Sequence, residues 1–193
     1  AHKLYGPKGI GALYVRDGPH AHPITPLVYG GGQEHGLRPG TTNVPGIVGF
    51  GEACRICIAE LEQERIRIAG LRDQFEQALL ASIPGLKINA REAPRLPNTS
   101  SLTFPGIDAD ALLLNLPKVM MGTGSACSSG ALEPSHVLLA MGLSRSETGS
   151  TVRASLGRFT TLGDVGRARS LITDSLEPSL LYHNREAQGK SQQ

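Results

Sequence analysis

A chain of 193 residues with a formal charge of +2 and no lysine- or arginine-rich block gives no electrostatic case for a nucleic-acid partner. Its three cysteines are too few, and odd in number, for the disulfide framework of a secreted domain, and no apolar run approaches the ~20 residues of a membrane span. With 39% hydrophobic residues, the length allows one good core, or a small domain plus part of another.

The opening AHKLYG has neither an initiator methionine nor a signal-peptide pattern. It reads as sequence from the middle of a fold, so a fragment is expected. IGALYV (10–15) predicts a short strand between Gly9 and the turn-rich RDGPHAHP. PLVYGGGQEHGLRPGTTN (26–43) gives a brief apolar run and then a long glycine-rich loop. From Val44 the pattern turns helical. Ile47, Phe50, Cys54, Cys57, Ile58, Leu61, Ile68, Leu71, Phe75 and Leu79 recur at three- and four-residue steps, with a break expected near Gly70 and an end at Pro84-Gly85.

Further on, LKINA (86–90) and SSLTF (100–104) predict strands on either side of a turn region. DADALLLNL predicts a helix with Asp108 at its cap, and KVMM (118–121) a short strand leading into GTGSACSSG. EPSHVLLAMG (133–142) predicts a helix with Pro134 in its first turn and Gly142 just past its end. TVRASLGRF (151–159) predicts a strand, and TLGDVGRARSLITDSL (161–176) a last helix whose Thr161-x-x-Asp164 start has the form of a capping box. The tail HNREAQGKSQQ is polar and expected to be disordered. No internal repeat is present, and alternating strands and helices predict an α/β or α+β fold.

Several residues could carry chemistry. Cys127 stands among Gly, Ser, Thr and Ala between Gly122 and Gly130, a setting that suits a reachable, nucleophilic thiol and equally a small residue buried in a tight turn. Cys54 and Cys57 have C-x-x-C spacing, but they fall on the helical stripe and no second pair completes a tetrahedral metal site, so they read as structural. Lys3, beside His2, could form a Schiff base with a carbonyl or could be a plain surface cation. It does not belong to a phosphate-binding P-loop, since G-x-x-x-x-G-K-[ST] is absent. The loop GGGQEHGLRPGTTN offers backbone N–H groups, Arg38, Thr41 and Thr42, the parts of an anion cradle, although a connecting loop explains the glycines as well. Arg153 could clamp a carboxylate from a strand end or form a surface ion pair. His20, His22 and His183 lie in polar surroundings without ligand spacing and read as solvated.

Taken together, HKLYGPKGIGALYVR, GGGQEHGLRPGT, LPNTSSLTF, GSACSSGALEPSHVL and VRASLGRFTT resemble the pyridoxal-phosphate-dependent cysteine desulfurases of the NifS/IscS type. These enzymes form part of the class V group of the aspartate aminotransferase-like fold. The resemblance runs from Ala1 to about Leu176. It implies an α/β, fold type I architecture: the end of the large cofactor domain in residues 1–60, and a small α+β domain in residues 61–180 with the cysteine loop at 122–134. A polar tail, 181–193, would follow.

The same resemblance implies roles. Lys3 would hold pyridoxal phosphate and later act as general base. His2 would shape the phosphate site, and Thr41 would reach the phosphate of a partner subunit's cofactor in a homodimer. Arg153 would hold the carboxylate of L-cysteine, and Cys127 would take its sulfur as a persulfide, releasing L-alanine. The sulfur would then pass to an acceptor protein, such as an iron–sulfur scaffold, in the cytoplasm. A large part of the family's catalytic domain precedes the lysine, so the chain is expected to be inactive alone. Two departures stand out: His35 replaces the arginine that often follows the glutamate of GGGQE, and REAQGKSQQ does not resemble the segment that docks a scaffold. The other readings are a selenocysteine lyase and an inert C-terminal domain used for dimerisation or partner binding.

Overall fold

A computed structural model of the chain describes residues 1–18, 24–123 and 134–190, the last stretch with side chains as far as 176. It divides into two compact units, Ala1–Glu62 and Gln63–Gln193.

The first unit opens with a 3-10 turn, His2–Leu4. The carbonyl of Ala1 accepts from the Leu4 and Gly6 amides at 2.8 and 3.0 Å, and the Ala1 amino group donates to the Ile10 carbonyl at 2.7 Å. Gly6 lets the chain pass close by here. A Cβ on it would stand 3.0 Å from the Ala1 Cβ and 3.2 Å from the Ala53 Cβ. The strand expected over 10–15 is absent: the segment is irregular, and Leu13 and Tyr14 are exposed. A β-strand exists only by pairing, and no described segment lies alongside to supply the second half of a ladder.

Helix α1, Val44–Ser82, runs for 39 residues and crosses the division between the units. Asn43 caps it, its Oδ1 accepting from the Gly46 amide at 3.1 Å. The break expected at Gly70 does not occur. A single glycine in a helix interior costs about 1 kcal/mol, and the good helix formers on both sides outweigh that. The end falls as the sequence indicates, with Gly85 in the left-handed region at φ +76° just beyond Ser82.

The second unit holds a three-stranded antiparallel sheet in the order β1 (Lys87–Ile88), β2 (Thr99–Thr103), β3 (Thr151–Ser155). Leu102 pairs with Val152, and Ser101 with Arg153. Between β2 and β3 lie the short helices α2 (Ala109–Leu114), α3 (His136–Ala140) and α4 (Arg145–Gly149). Asp108 caps α2 as expected, accepting from the Ala111 amide at 2.8 Å. Pro134 lies ahead of α3, whose cap is Ser135, and so falls outside its first turn; Gly142, at φ +90°, follows its end. The strand expected over 118–121 shrinks to an isolated bridge between Gly122 and Arg153.

Helix α5, Leu162–Lys190, starts with the anticipated capping box: Asp164 Oδ2 accepts from the Thr161 amide at 3.0 Å, and the Asp164 amide donates to Thr161 Oγ1 at 3.2 Å. It continues to Lys190, so residues 183–190 are helical and not the disordered tail that their polarity suggests. Polarity alone does not prevent a helix that is already nucleated from propagating.

The apolar face of the sheet packs on the helices. Leu79, Leu102, Val152 and Ile172 are fully buried, joined by Phe75, Phe104 and Leu176 in one core whose members all lie at residue 68 or beyond. Each such side chain contributes roughly 1.5–3 kcal/mol by leaving water. Charged groups lie inside as well, Arg72 and Glu76. Glu76, 2% exposed, receives both Arg95 Nη atoms at 2.6 and 2.7 Å and the Ser100 hydroxyl at 2.6 Å. Burial pushes its carboxyl up, but the Arg95 and Ser100 hydrogen bonds and the nearby guanidinium charges leave it below the usual carboxylate range. At the edge of the sheet, Lys87 pairs with Glu147 at 2.8 Å, and with the Ser144 amide and hydroxyl it holds that carboxyl down to about 2.

Candidate functional site

Lys3 and His2 sit on the 3-10 turn, both exposed. Lys3 has no ion-pair partner among the described residues, so its amine is open to a ligand. The turn is fixed on both sides. Ala1 closes it as described above, and Cys57 of α1 donates its thiol to the Leu4 carbonyl at 3.8 Å. Cys54 and Cys57 are both half-buried free thiols, and that bond gives the second of them a structural task.

The glycine-rich loop belongs to the same unit. Glu34 and His35 have φ of +49° and +58°, followed by Gly36 at +78°. Such left-handed non-glycine residues cost of order 1–3 kcal/mol unless their surroundings hold them. Here Gln33 Oε1 accepts from the Gly40 amide at 3.0 Å, and Arg38 Nη1 donates to the Gly40 and Thr41 carbonyls at 3.2 and 3.4 Å. Arg38, an expected cradle residue, therefore serves to shape its own loop. The loop delivers Thr41, exposed, two residues before the Asn43 cap of α1. An exposed hydroxyl at the start of a long helix suits a phosphate.

In the second unit Arg153 occupies the middle of β3, not a strand end, and is exposed with no ion-pair partner among the described residues. Its backbone exchanges two hydrogen bonds with Gly122, Arg153 N to Gly122 O at 2.6 Å and Gly122 N to Arg153 O at 3.1 Å. Cys127, His20 and His22 lie outside the described residues, as does most of the 122–134 loop; the side chain of His183 does too. The structure thus brings His2 and Lys3 together on one turn, with Thr41 in the same unit, and sets Gly122 against Arg153 in the other.

Sequence reasoning missed a chain of polar side chains on the face of the sheet that carries Arg153. Asn89 Nδ2 donates to Ser101 Oγ at 3.0 Å and to Thr103 Oγ1 at 2.9 Å. Thr103 Oγ1 meets Thr151 Oγ1 at 2.7 Å, and Thr151 donates to the Glu147 carbonyl at 2.6 Å. The alternation Thr99, Ser101, Thr103 is visible in the sequence as one polar strand face. The pairing that lines it up with Arg153 is not.

Residues 1–167 match the family model described as aminotransferase class-V. A cysteine desulfurase of Trichormus azollae is 46% identical over 178 residues, covering 91% of this chain and 44% of its own length. Among solved structures, a NifS-like protein shares 36% identity at a TM-score of 0.76, covering 91% of this chain and 44% of that one. SspA in complex with cysteine shares 36% identity at a TM-score of 0.59, covering 83% of this chain and 43% of its own. The chain therefore spans less than half the length of these relatives, and its α/β architecture fits a partial fold type I domain. The open lysine amine and the helix-start hydroxyl of Thr41 suit a cofactor with an aldehyde and a phosphate. Sequence, backbone and donor groups agree: the chain belongs to the class-V aminotransferases, whose members depend on pyridoxal phosphate.

Proposed function

We propose that the chain is the lysine- and cysteine-bearing part of a cysteine desulfurase, which takes sulfur from L-cysteine, releases L-alanine and carries the sulfur as a persulfide on Cys127. The observation that carries this reading is the pairing of Gly122 with Arg153. It anchors the segment that leads to Cys127 beside Arg153. Five residues separate the anchor from the thiol, a span of at most ~18 Å. A carboxylate held by Arg153 therefore puts the rest of a small amino acid within reach of Cys127. The cysteine desulfurase identity of the relatives, and the cysteine bound to SspA, support the same substrate.

Each residue has a task. Lys3 would hold the cofactor at its aldehyde end, His2 beside it would shape the phosphate site, and Thr41 would reach the phosphate of the partner subunit's cofactor. Pyridoxal phosphate, when bound, supplies an electron-withdrawing ring that stabilises negative charge developing at the substrate Cα. The Lys3 amine removes the Cα proton. Arg153 fixes the carboxylate through a two-pronged hydrogen-bonded ion pair. The Cys127 thiolate attacks the substrate sulfur. A sulfur–sulfur bond forms as the Cβ–S bond breaks and its electron pair stays with carbon; a proton at Cβ completes the methyl group, and Lys3 returns a proton to Cα to give L-alanine. An aminotransferase has no step that needs Cys127.

The division of the chain at Glu62 supports a large-domain end up to about residue 60 and a small domain from 61 to 180, with 181–193 as a terminal extension. Exposed Leu27, Val28 and Tyr29 ahead of the glycine-rich loop support a homodimer in which Thr41 serves the partner subunit's cofactor. The sulfur goes to an acceptor protein for iron–sulfur cluster or thio-cofactor synthesis, in the cytoplasm. No described helix is long and apolar enough to cross a membrane.

Replacing Cys127 by Ala in the full-length protein tests the reading. Sulfur release from L-cysteine should stop while the absorbance of the bound cofactor stays, and mass spectrometry should find an added sulfur atom on Cys127 only in the unaltered protein. Sulfur release that survives the substitution overturns the assignment. Selenium release that survives while sulfur release stops would favour the lyase.

A further inference from the structure

The geometry points to Ser101 as a second donor, beside Arg153, for the carboxylate of the amino-acid substrate, with Asn89 as the residue that aims it. This rests on the desulfurase reading and adds a binding residue to its substrate site.

The argument follows the protons. Thr151 has one hydroxyl hydrogen, and it goes to the Glu147 carbonyl. In the 2.7 Å contact between Thr103 and Thr151, the hydrogen must therefore come from Thr103. With its hydrogen committed there, Thr103 can only accept from Asn89, which fixes the Asn89 amide with its NH2 group toward the hydroxyls. The second NH2 hydrogen goes to Ser101 Oγ. Ser101 thus already accepts a bond, and its own O–H has no acceptor among the described residues.

The sheet decides where that hydroxyl stands. Ser101 and Arg153 are directly opposite each other in the register of β2 and β3. The Asn89 amide donates to the Ser101 carbonyl at 2.9 Å, so the backbone groups of Ser101 face β1, while those of Arg153 face Gly122. The two residues form a pair without mutual backbone bonds, the kind whose Cα atoms approach to about 4.5 Å and whose side chains are closest. An uncommitted O–H beside an unpaired guanidinium is a two-point donor set for one carboxylate: a charged prong that attracts it and a neutral prong that orients it. Thr103 and Thr151, 1% and 3% exposed, hold the hydroxyl chain rigid beneath.

L-Alanine, which keeps the carboxylate and lacks the thiol, can be titrated into the full-length protein and followed by the backbone N–H signals of Gly122 and Ser155; alaninol, without the carboxylate, is the control. The expected result is a shift with L-alanine and none with alaninol. Ser101→Ala should weaken binding ~3–10-fold, the effect of one hydrogen bond, with its other signals unmoved, and Ser101→Thr should restore it. Wild-type affinity in Ser101→Ala overturns the second donor while leaving Arg153 in place. Wild-type affinity in Arg153→Gln, or no shift in the unaltered full-length protein, overturns the desulfurase substrate site on which it rests.

Discussion

At the scale of single residues, the second unit treats its charged groups in two opposite ways. Glu76 is buried and fully engaged by Arg95 and Ser100, whereas Arg153 is exposed and has no ion-pair partner among the described residues. The first arrangement is structural. Glu76→Ala would leave the Arg95 guanidinium and the Ser100 hydroxyl without their acceptor, and removing one partner of a buried pair costs about 3–5 kcal/mol. Urea denaturation should show a loss of that order, and a loss below ~1 kcal/mol would mean that the network relaxes into water. Arg153 is the kind of residue whose replacement changes binding and leaves stability nearly alone. Nothing in the sequence separates these two cases. Both arginines stand in polar, turn-rich or alternating stretches, and only the position of the opposing carboxylate tells them apart.

At the scale of elements, the glycines show what local signals can and cannot decide. Gly70 lies inside α1 with nothing within 4 Å of the position its Cβ would take, so Gly70→Ala should stabilise the protein by about 0.5–1 kcal/mol through helix propensity alone. Gly142 has equally open space, but its φ is +90°; Gly142→Ala should destabilise by about 1–2 kcal/mol from the backbone conformation alone. Thermal melts of the two variants should move in opposite directions, and a common direction would refute the conformational argument. The caps at Asp108 and Thr161 were legible because a cap is a local hydrogen bond within three residues. The strands expected over 10–15 and 118–121 were not, since alternation marks a segment fit for a sheet and says nothing of whether a neighbour is there to pair with it.

At the scale of the whole molecule, the apolar core belongs to one unit. Every member of its main cluster lies at residue 68 or later, while among the described residues of Ala1–Glu62 only Pro39 and Ala53 bury an apolar side chain. A chain begun at Gln63 should therefore fold cooperatively, with its sheet amides protected from hydrogen exchange. A chain ended at Glu62 should show little protection on its own, and strong protection there would contradict the burial argument. The sequence by itself determined the helical stripe of α1, the caps, the polar and apolar faces of β2, and the set of blocks that resembles the desulfurases. These depend on neighbours along the chain and on residue chemistry. Only the tertiary structure decided that Gly122 meets Arg153, that Arg38 is taken up by its own loop, and that Ser101 stands opposite Arg153. Each of those joins residues through a strand register or a loop closure, and a register is set by the sum of packing on the apolar face rather than by any residue in the pair.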